Sequence, residues 1–207
     1  EIIAGMCDTL TALKVGPHLV RFSSRSILNL LLKFAGIDEQ QSVDVFRVLD
    51  KLDKAGIEKV RLELMQGYKD ESGDTIRGLG LSQEQVTRIA RFLNVKADSR
   101  RDVVTRVRDL FSSVEGSKDL IDVVERISNH LYALGYGDDR VSLDLSIARG
   151  LAYYTGPVFE AILLDAPQFG SVFGGGRYDN LVMRFLCEAI PAVGASIGVV
   201  RLLAALT

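Results

Sequence analysis

The chain has 207 residues, 47% of them apolar and 25% charged. That mix and length can bury a substantial core and exclude a disordered tail. Twenty-five Lys and Arg against 27 Asp and Glu leave a net charge of −2, so the chain as a whole is no sleeve for nucleic acid, and only a local patch could serve one.

The elements follow in three textures. Ile2, Ile3, Met6, Leu10 and Leu13 recur at helical spacing, and Gly16-Pro17 ends that helix. His18 to Ser23 reads as a short strand, and Ile27 to Leu32 as a helix stopped by Gly36. The spacing of Val43, Phe46, Val48, Leu49 and Leu52 predicts a third helix from Asp38 to about Lys54. From 56 to 117 the pattern predicts helices with no strand, and the polar, glycine-containing stretch Gly67 to Gly80 a loop between them. Ser82, two residues before Glu84, is a hydroxyl N-cap candidate, though the stretch does not have the S-x-x-E form of a capping box. Leu120, Val124, Ile127, Leu131 and Leu134 mark one stripe of a long helix from Lys118 to Leu134.

At about 140 the texture changes. Val141 to Leu145 alternates as a half-buried strand does, 153–164 and 169–175 read as two more strands, and 191–198 as another. Arg177 to Leu186 and the residues from 199 onward read as helices. Successive strands on short turns predict an antiparallel sheet in an α+β fold. The predicted division is 1–55, a helical subdomain 56–117, and 118–207.

Cys7 and Cys187 have no CxxC spacing and no neighbouring His, and His18 and His130 stand alone. No zinc site and no disulfide framework is expected. No window approaches the roughly 18 apolar residues of a membrane span, and no basic-then-apolar leader is visible. A reducing, cytoplasmic setting is therefore expected. The chain opens on Glu1 inside a helical pattern and stops in the apolar run from Arg201 to Thr207; both ends read as cut from a longer polypeptide.

Three segments concentrate Gly, Tyr and Arg: Arg149 to Glu160, Phe173 to Val182, and Gly194 to Leu202. A triple glycine strips side chains from a strand where a ligand or another backbone comes close. An Arg just ahead of a Tyr-Tyr pair offers a fork of donors beside two flat, polar-tipped walls. Gly198 followed by Arg201 opens a helix with a cation one turn in, suited to a phosphate or a base. Taken singly, the tyrosines read as strand formers and the glycines as a turn or bulge; together they read as a site. Neither GxGxxG nor GxxxxGK[ST] occurs, so the common phosphate loops are excluded.

These segments resemble histidyl-tRNA synthetases, a class II aminoacyl-tRNA synthetase family. Arg149 to Glu160 resembles the histidine-specific signature, Gly174 to Val182 the glycine-rich strand with its following helix, and Gly194 to Leu202 motif 3. Val48 to Gly56 resembles the stretch that precedes the family's inserted helical domain. The resemblance implies ATP-dependent activation of L-histidine, with Mg2+ accompanying ATP, and transfer to tRNA(His) by a homodimer. It implies that Arg149 steadies charge on the α-phosphate, that Tyr153, Tyr154 and Tyr178 wall the imidazole pocket, and that Gly174, Gly175 and Gly176 floor the adenylate. Arg201, with Gly198, would meet the adenine side of ATP. Ala152 departs from the Asp the signature carries. Motifs 1 and 2 and the anticodon-binding domain are not in this sequence, so the chain reads as half of a catalytic domain that cannot complete its site alone. The competing reading is a non-catalytic paralogue such as the regulatory subunit of ATP phosphoribosyltransferase.

Between 88 and 108 lie Arg88, Arg91, Lys96, Arg100, Arg101, Arg106 and Arg108 against only Asp98 and Asp102. The surplus reads either as a solvated helix face, paired Asp98 to Arg101 and Asp102 to Arg106, or as a track for a phosphate backbone. The resemblance favours the second, since the family's inserted domain approaches the tRNA acceptor arm, and marks Arg88, Arg91, Arg100 and Arg101.

Overall fold

The computed structural model describes residues 1–147, 153–181, 183, 188 and 190–206. Its centre is a five-stranded sheet in the order β4-β1-β5-β6-β7, built from β1 (His18–Ser24), β4 (Val141–Leu143), β5 (Pro157–Leu163), β6 (Ser171–Arg177) and β7 (Val193–Ile197). All pairings are antiparallel except β1 with β4, which run parallel. That exception follows from the chain path: β4 comes after a long helical excursion rather than a tight turn, and such a return can lay the strand down in either sense.

Register decides which face does what. Val20 and Phe22 of β1 stand level with Val141 and Leu143 of β4 and with Ala161 and Phe159 of β5, all of them buried. This is the core face. The alternate residues make the other face, where Ser142, Arg21, Glu160, Gly174 and Ser196 form one row across the five strands.

Helices α1 (Ile2–Ala12), α2 (Arg25–Ala35) and α7 (Ser117–Ala133) bury Met6, Leu10, Leu28, Leu31, Val124 and Leu131 in the core. Helix α2 starts on Ser24, whose hydroxyl accepts from the Ser26 amide, and ends on Gly36 in the left-handed region (φ 67°). Leu134, expected on the buried stripe of α7, is 61% exposed. It is the cap residue after the helix has ended at Ala133, so the helical phase no longer fixes its direction.

The middle of the chain departs from expectation in three places. The helix predicted from 38 to 54 is a short 3-10 turn (Glu39–Gln41), α3 (Ser42–Leu49), and the start of a separate α4 (Leu52–Leu64), kinked at Gly56 where φ is 78°. The stretch 67–80 is not a plain loop but holds a hairpin, β2 (Gly67–Lys69) paired with β3 (Thr75–Arg77). Asp70 makes its turn: one carboxylate oxygen accepts from the amides of Ser72 (3.0 Å) and Asp74 (2.9 Å), and Gly73 supplies a φ of 90°. With one apolar residue per strand, Tyr68 opposite Ile76, the pattern was too short to show a period of two. Helix α5 (Gln83–Leu93) opens with a full capping box, Ser82 with Gln85 where the S-x-x-E form has Glu. Gln85 also donates to the Gly36 carbonyl at 2.7 Å, tying α5 to the end of α2.

Helix α6 (Arg100–Leu110) packs on α7, and α8 (Val199–Leu206) ends the described chain with Leu202 inward and Val200 and Leu203 outward. Arg177, read as a helix start, is the last residue of β6, and 179–181 that follow are a turn rather than helix; residues 182 and 184–186 of the helix predicted to 186 lie outside the described residues. Among the described residues no helix is long and apolar enough to cross a membrane.

Candidate functional site

A cleft of about 860 Å3 opens on the polar face of the sheet. Tyr153 and Tyr154 stand on one side, Glu160, Gly174 and Ser196 lie along the floor, and Arg201 closes the far side. The structure thus brings together Tyr153, Tyr154, Gly174, Gly175, Gly198 and Arg201 from three separate sequence segments. Arg149 and Ala152 lie outside the described residues.

The three glycines have different reasons to be glycine. A Cβ on Gly174 meets only the Ser171 hydroxyl at 3.6 Å and the Phe159 carbonyl at 3.7 Å, ordinary contacts; this position is bare because it faces the cleft. A Cβ on Gly175 would run into the Gly194 carbonyl, the Ala195 Cα (2.6 Å) and the Phe159 ring (2.7 Å). A Cβ on Gly176 would enter the Tyr154 ring at 2.7 Å. So Gly174 is floor, Gly175 admits close approach of β7 on the core face, and Gly176 is the seat of a tyrosine.

The tyrosines stack as a ladder. Ring centroids are 4.4 Å apart for Tyr153 and Tyr154, and 6.4 Å for Tyr154 and Tyr178. Tyr178 backs Tyr154 rather than lining the cleft itself. Burial, with a hydrogen bond and charge from Tyr153, pushes the Tyr154 hydroxyl up to about 12, so it stays protonated and able to donate at neutral pH. The loop carrying the ladder is clipped down. Thr155 donates its amide to the Arg177 carbonyl (2.8 Å) and its hydroxyl to Asp179 (3.1 Å), while Arg177 Nε donates to both Asp179 oxygens. Those bonds hold the Asp179 carboxyl below its usual range, Arg177 contributing most.

Gly198 begins α8: its amide donates to the Val172 carbonyl and its carbonyl accepts from Leu202, both at 2.8 Å. Arg201 sits in the first turn and donates to the Ser171 carbonyl at 2.5 Å, which aims the side chain along the cleft wall. Sequence reasoning gave no role to Arg21 and Glu160. The Arg21 fork reaches Asp144 (3.0 Å) with one nitrogen and Glu160 with the other, and Glu160 is buried. The available signal was a lone acid inside the apolar strand Val158 to Leu163, since an acid is seldom buried there without a cation.

The basic stretch of 88–108 does not stay together. Arg100 is buried at 1% exposure, so it leaves the nucleic-acid surface on which it was expected. Its guanidinium donates to the carbonyls of Tyr136 (2.6 Å), Gly137 (3.0 Å) and Val141 and to the Ser128 hydroxyl (3.2 Å), over the Tyr132 ring at 3.9 Å. Arg108 is bound by Asp122 and Glu125. Arg101 is exposed, with its guanidinium 5.0 Å from the centre of the Tyr132 ring. Arg88 and Arg91 instead converge with Lys33 and the Phe34 ring around a second groove of about 650 Å3, with Glu115 as its acid. Arg88 is held there by the Phe34 carbonyl (3.0 Å) and Glu84 (2.5 Å), while Arg91 lies over the Phe34 ring. No group of three or more potential metal ligands occurs among the described residues.

The histidyl-tRNA synthetase family model matches residues 1–202, on both sides of the helical segment and through all three glycine- and tyrosine-bearing stretches. The chain belongs to the histidyl-tRNA synthetase family. It is 42% identical to the histidine–tRNA ligase of Cereibacter sphaeroides and 44% to that of Paracoccus denitrificans, each covering 100% of this chain. It spans 45% and 44% of those relatives, less than half their length. The crystal structure of histidyl-tRNA synthetase from Nostoc sp. PCC 7120 superimposes with a TM-score of 0.85 at 32% identity, over 98% of this chain and 44% of that one. An ATP phosphoribosyltransferase regulatory subunit/histidyl-tRNA synthetase from Bacillus halodurans shares the fold with a TM-score of 0.77 at 24% identity. The fold by itself therefore does not separate the family's readings.

Proposed function

We propose that this chain is the portion of a cytoplasmic, homodimeric histidine–tRNA ligase that carries the histidine-binding wall and part of the ATP site. The observation that supports it most is the convergence of Tyr153, Tyr154, Gly174 and Arg201 on one cleft of a synthetase-family sheet. In this reading the carboxylate of L-histidine attacks the α-phosphorus of ATP, pyrophosphate leaves, and the histidyl group then passes to the tRNA hydroxyl with release of AMP. Mg2+ enters with ATP as its counter-ion. Arg149 steadies the charge that builds on the α-phosphate, the tyrosine ladder flanks the imidazole, Gly174 lets the adenylate lie against the sheet, and Arg201 packs by the adenine. Residues 1–55 and 118–207 supply the sheet, and 56–117 the insertion that meets tRNA.

The test is histidine-dependent ATP–pyrophosphate exchange by the full-length protein. Exchange is expected, and Arg149→Ala should lower it by about 100-fold, the usual consequence of removing a preorganised charge-stabilising group. Near-normal exchange by that variant would take the role away from Arg149. No exchange with histidine still bound would favour the regulatory reading, to which Ala152 inclines.

For tRNA, the groove of Lys33, Arg88 and Arg91 and the exposed Arg101 take the place of the continuous basic helix face. Replacing Arg91 by Glu should raise KM for tRNA and reduce the salt slope of tRNA binding by about 1, as loss of one phosphate contact does. Exchange, which needs no tRNA, should hold within about twofold. Equal loss of both would place Arg91 in the fold rather than at the RNA.

A further inference from the structure

Gly176 of β6 and Gly194 of β7 stand directly opposite one another, on the same face as Gly174 and Ser196. Two facing glycines leave a bare patch on the sheet, and two tyrosines fill it. A Cβ on Gly176 would lie 2.7 Å from the Tyr154 ring, and one on Gly194 would lie 2.7 Å from the Tyr178 hydroxyl. Facing positions in antiparallel strands normally carry a pair of side chains that pack on each other. Here that space belongs to rings brought in from elsewhere: Tyr154 from the loop before β5 and Tyr178 from the end of β6.

We propose that Gly194 is a positioning residue for histidine binding: its missing side chain seats the Tyr178 hydroxyl, and Tyr178 in turn sets the depth at which Tyr154 stands beside the cleft. This rests on the reading of Tyr154 as a wall of the histidine pocket. The chain of contacts is short. Tyr178 meets Tyr154 at 6.4 Å between centroids, Tyr154 lines the cleft, and Tyr178 does not. Among the described residues, a shift of the Tyr178 ring thus reaches the cleft through Tyr154.

The geometry also supplies a discriminating experiment. The added methyl of Gly194→Ala would meet Tyr178 only at its hydroxyl; the nearest ring carbons lie at 3.7 Å, an ordinary contact. The backbone at Gly194 does not need a positive φ. The ring tip therefore moves and the sheet stays. In the full-length protein, Gly194→Ala should raise KM for histidine roughly tenfold, leave KM for ATP within about twofold and unfold at the wild-type urea concentration. Removing the hydroxyl removes the collision. Adding Gly194→Ala to Tyr178→Phe should therefore change KM for histidine by less than about twofold relative to Tyr178→Phe alone, a strong non-additivity between two touching groups.

A glycine needed only for the fold gives a different pattern: lower stability, and no relief by Tyr178→Phe. That pattern, or an unchanged KM for histidine in Gly194→Ala, overturns the proposal. Wild-type protein with no dependence on histidine would sink the reading of the pocket, and the positioning role with it.

Discussion

Arg100→Met is expected to destabilise the protein by roughly 3–5 kcal/mol, the cost of breaking a buried charged network from one side. The Arg100 guanidinium satisfies four acceptors. Three backbone carbonyls, at Tyr136, Gly137 and Val141, and the Ser128 hydroxyl take their hydrogen bonds from it. The Arg100 amide also donates to Asp138 at 3.0 Å, and Asp138 accepts from the Tyr132 hydroxyl at 2.7 Å. Burial pulls the guanidinium below its usual range, while Tyr132 and Asp138 push it back. One side chain thus joins the first turn of α6 to the end of α7 and the start of β4. Methionine fills most of the volume and satisfies none of the acceptors. At about 2–4 °C per kcal/mol for a chain of this size, thermal melting should fall by roughly 10 °C. Arg101→Ala, which gives up only an exposed stack on Tyr132, should cost no more than about 1 kcal/mol. Melting of Arg100→Met at the wild-type temperature would mean that water or a neighbour replaces the network.

Arg100 also shows where a sequence stops being informative. It sits among Arg101, Arg106 and Arg108, and by type and spacing nothing separates it from them. Its burial comes from carbonyls at 136, 137 and 141, which only the folded chain brings near. The same holds for Arg21 with Glu160, 139 residues apart in sequence and side by side on adjacent strands. What could be read was local or carried by type: the periodicity of α1, α2 and α7, the stop at Gly36, the strand at 18–23, and the Gly, Tyr and Arg of the cleft. The hairpin at 67–77 escaped because its turn rests on one Asp side chain rather than on a long alternating pattern. The triple glycine was legible as a bare stretch of strand but not as three positions. The chain shows only the absence of side chains, while the structure shows what stands in each vacated space.

That difference makes Gly175→Ala the second large effect. A Cβ there would meet two backbone groups of β7, the Gly194 carbonyl and the Ala195 Cα, besides the Phe159 ring. Backbone cannot step aside as a side-chain tip can. Either β7 moves off β6, breaking the pairing of residues 173–177 with 193–197, or Phe159 leaves its place in the core. The expected loss is about 3 kcal/mol, at the upper end of ordinary overpacking because both β7 neighbours are main chain. Exchange should fall with it, since β7 leads directly into Gly198 and Arg201. Gly174→Ala is the companion measurement. Its Cβ finds ordinary room among the protein's own atoms but projects into the cleft, so urea unfolding should shift by less than about 1 kcal/mol while exchange drops at least about tenfold. If the two variants unfold alike, the assignment of Gly175 to strand packing and Gly174 to the floor is wrong. If they separate as expected, adjacent glycines of one strand serve the fold and the ligand respectively.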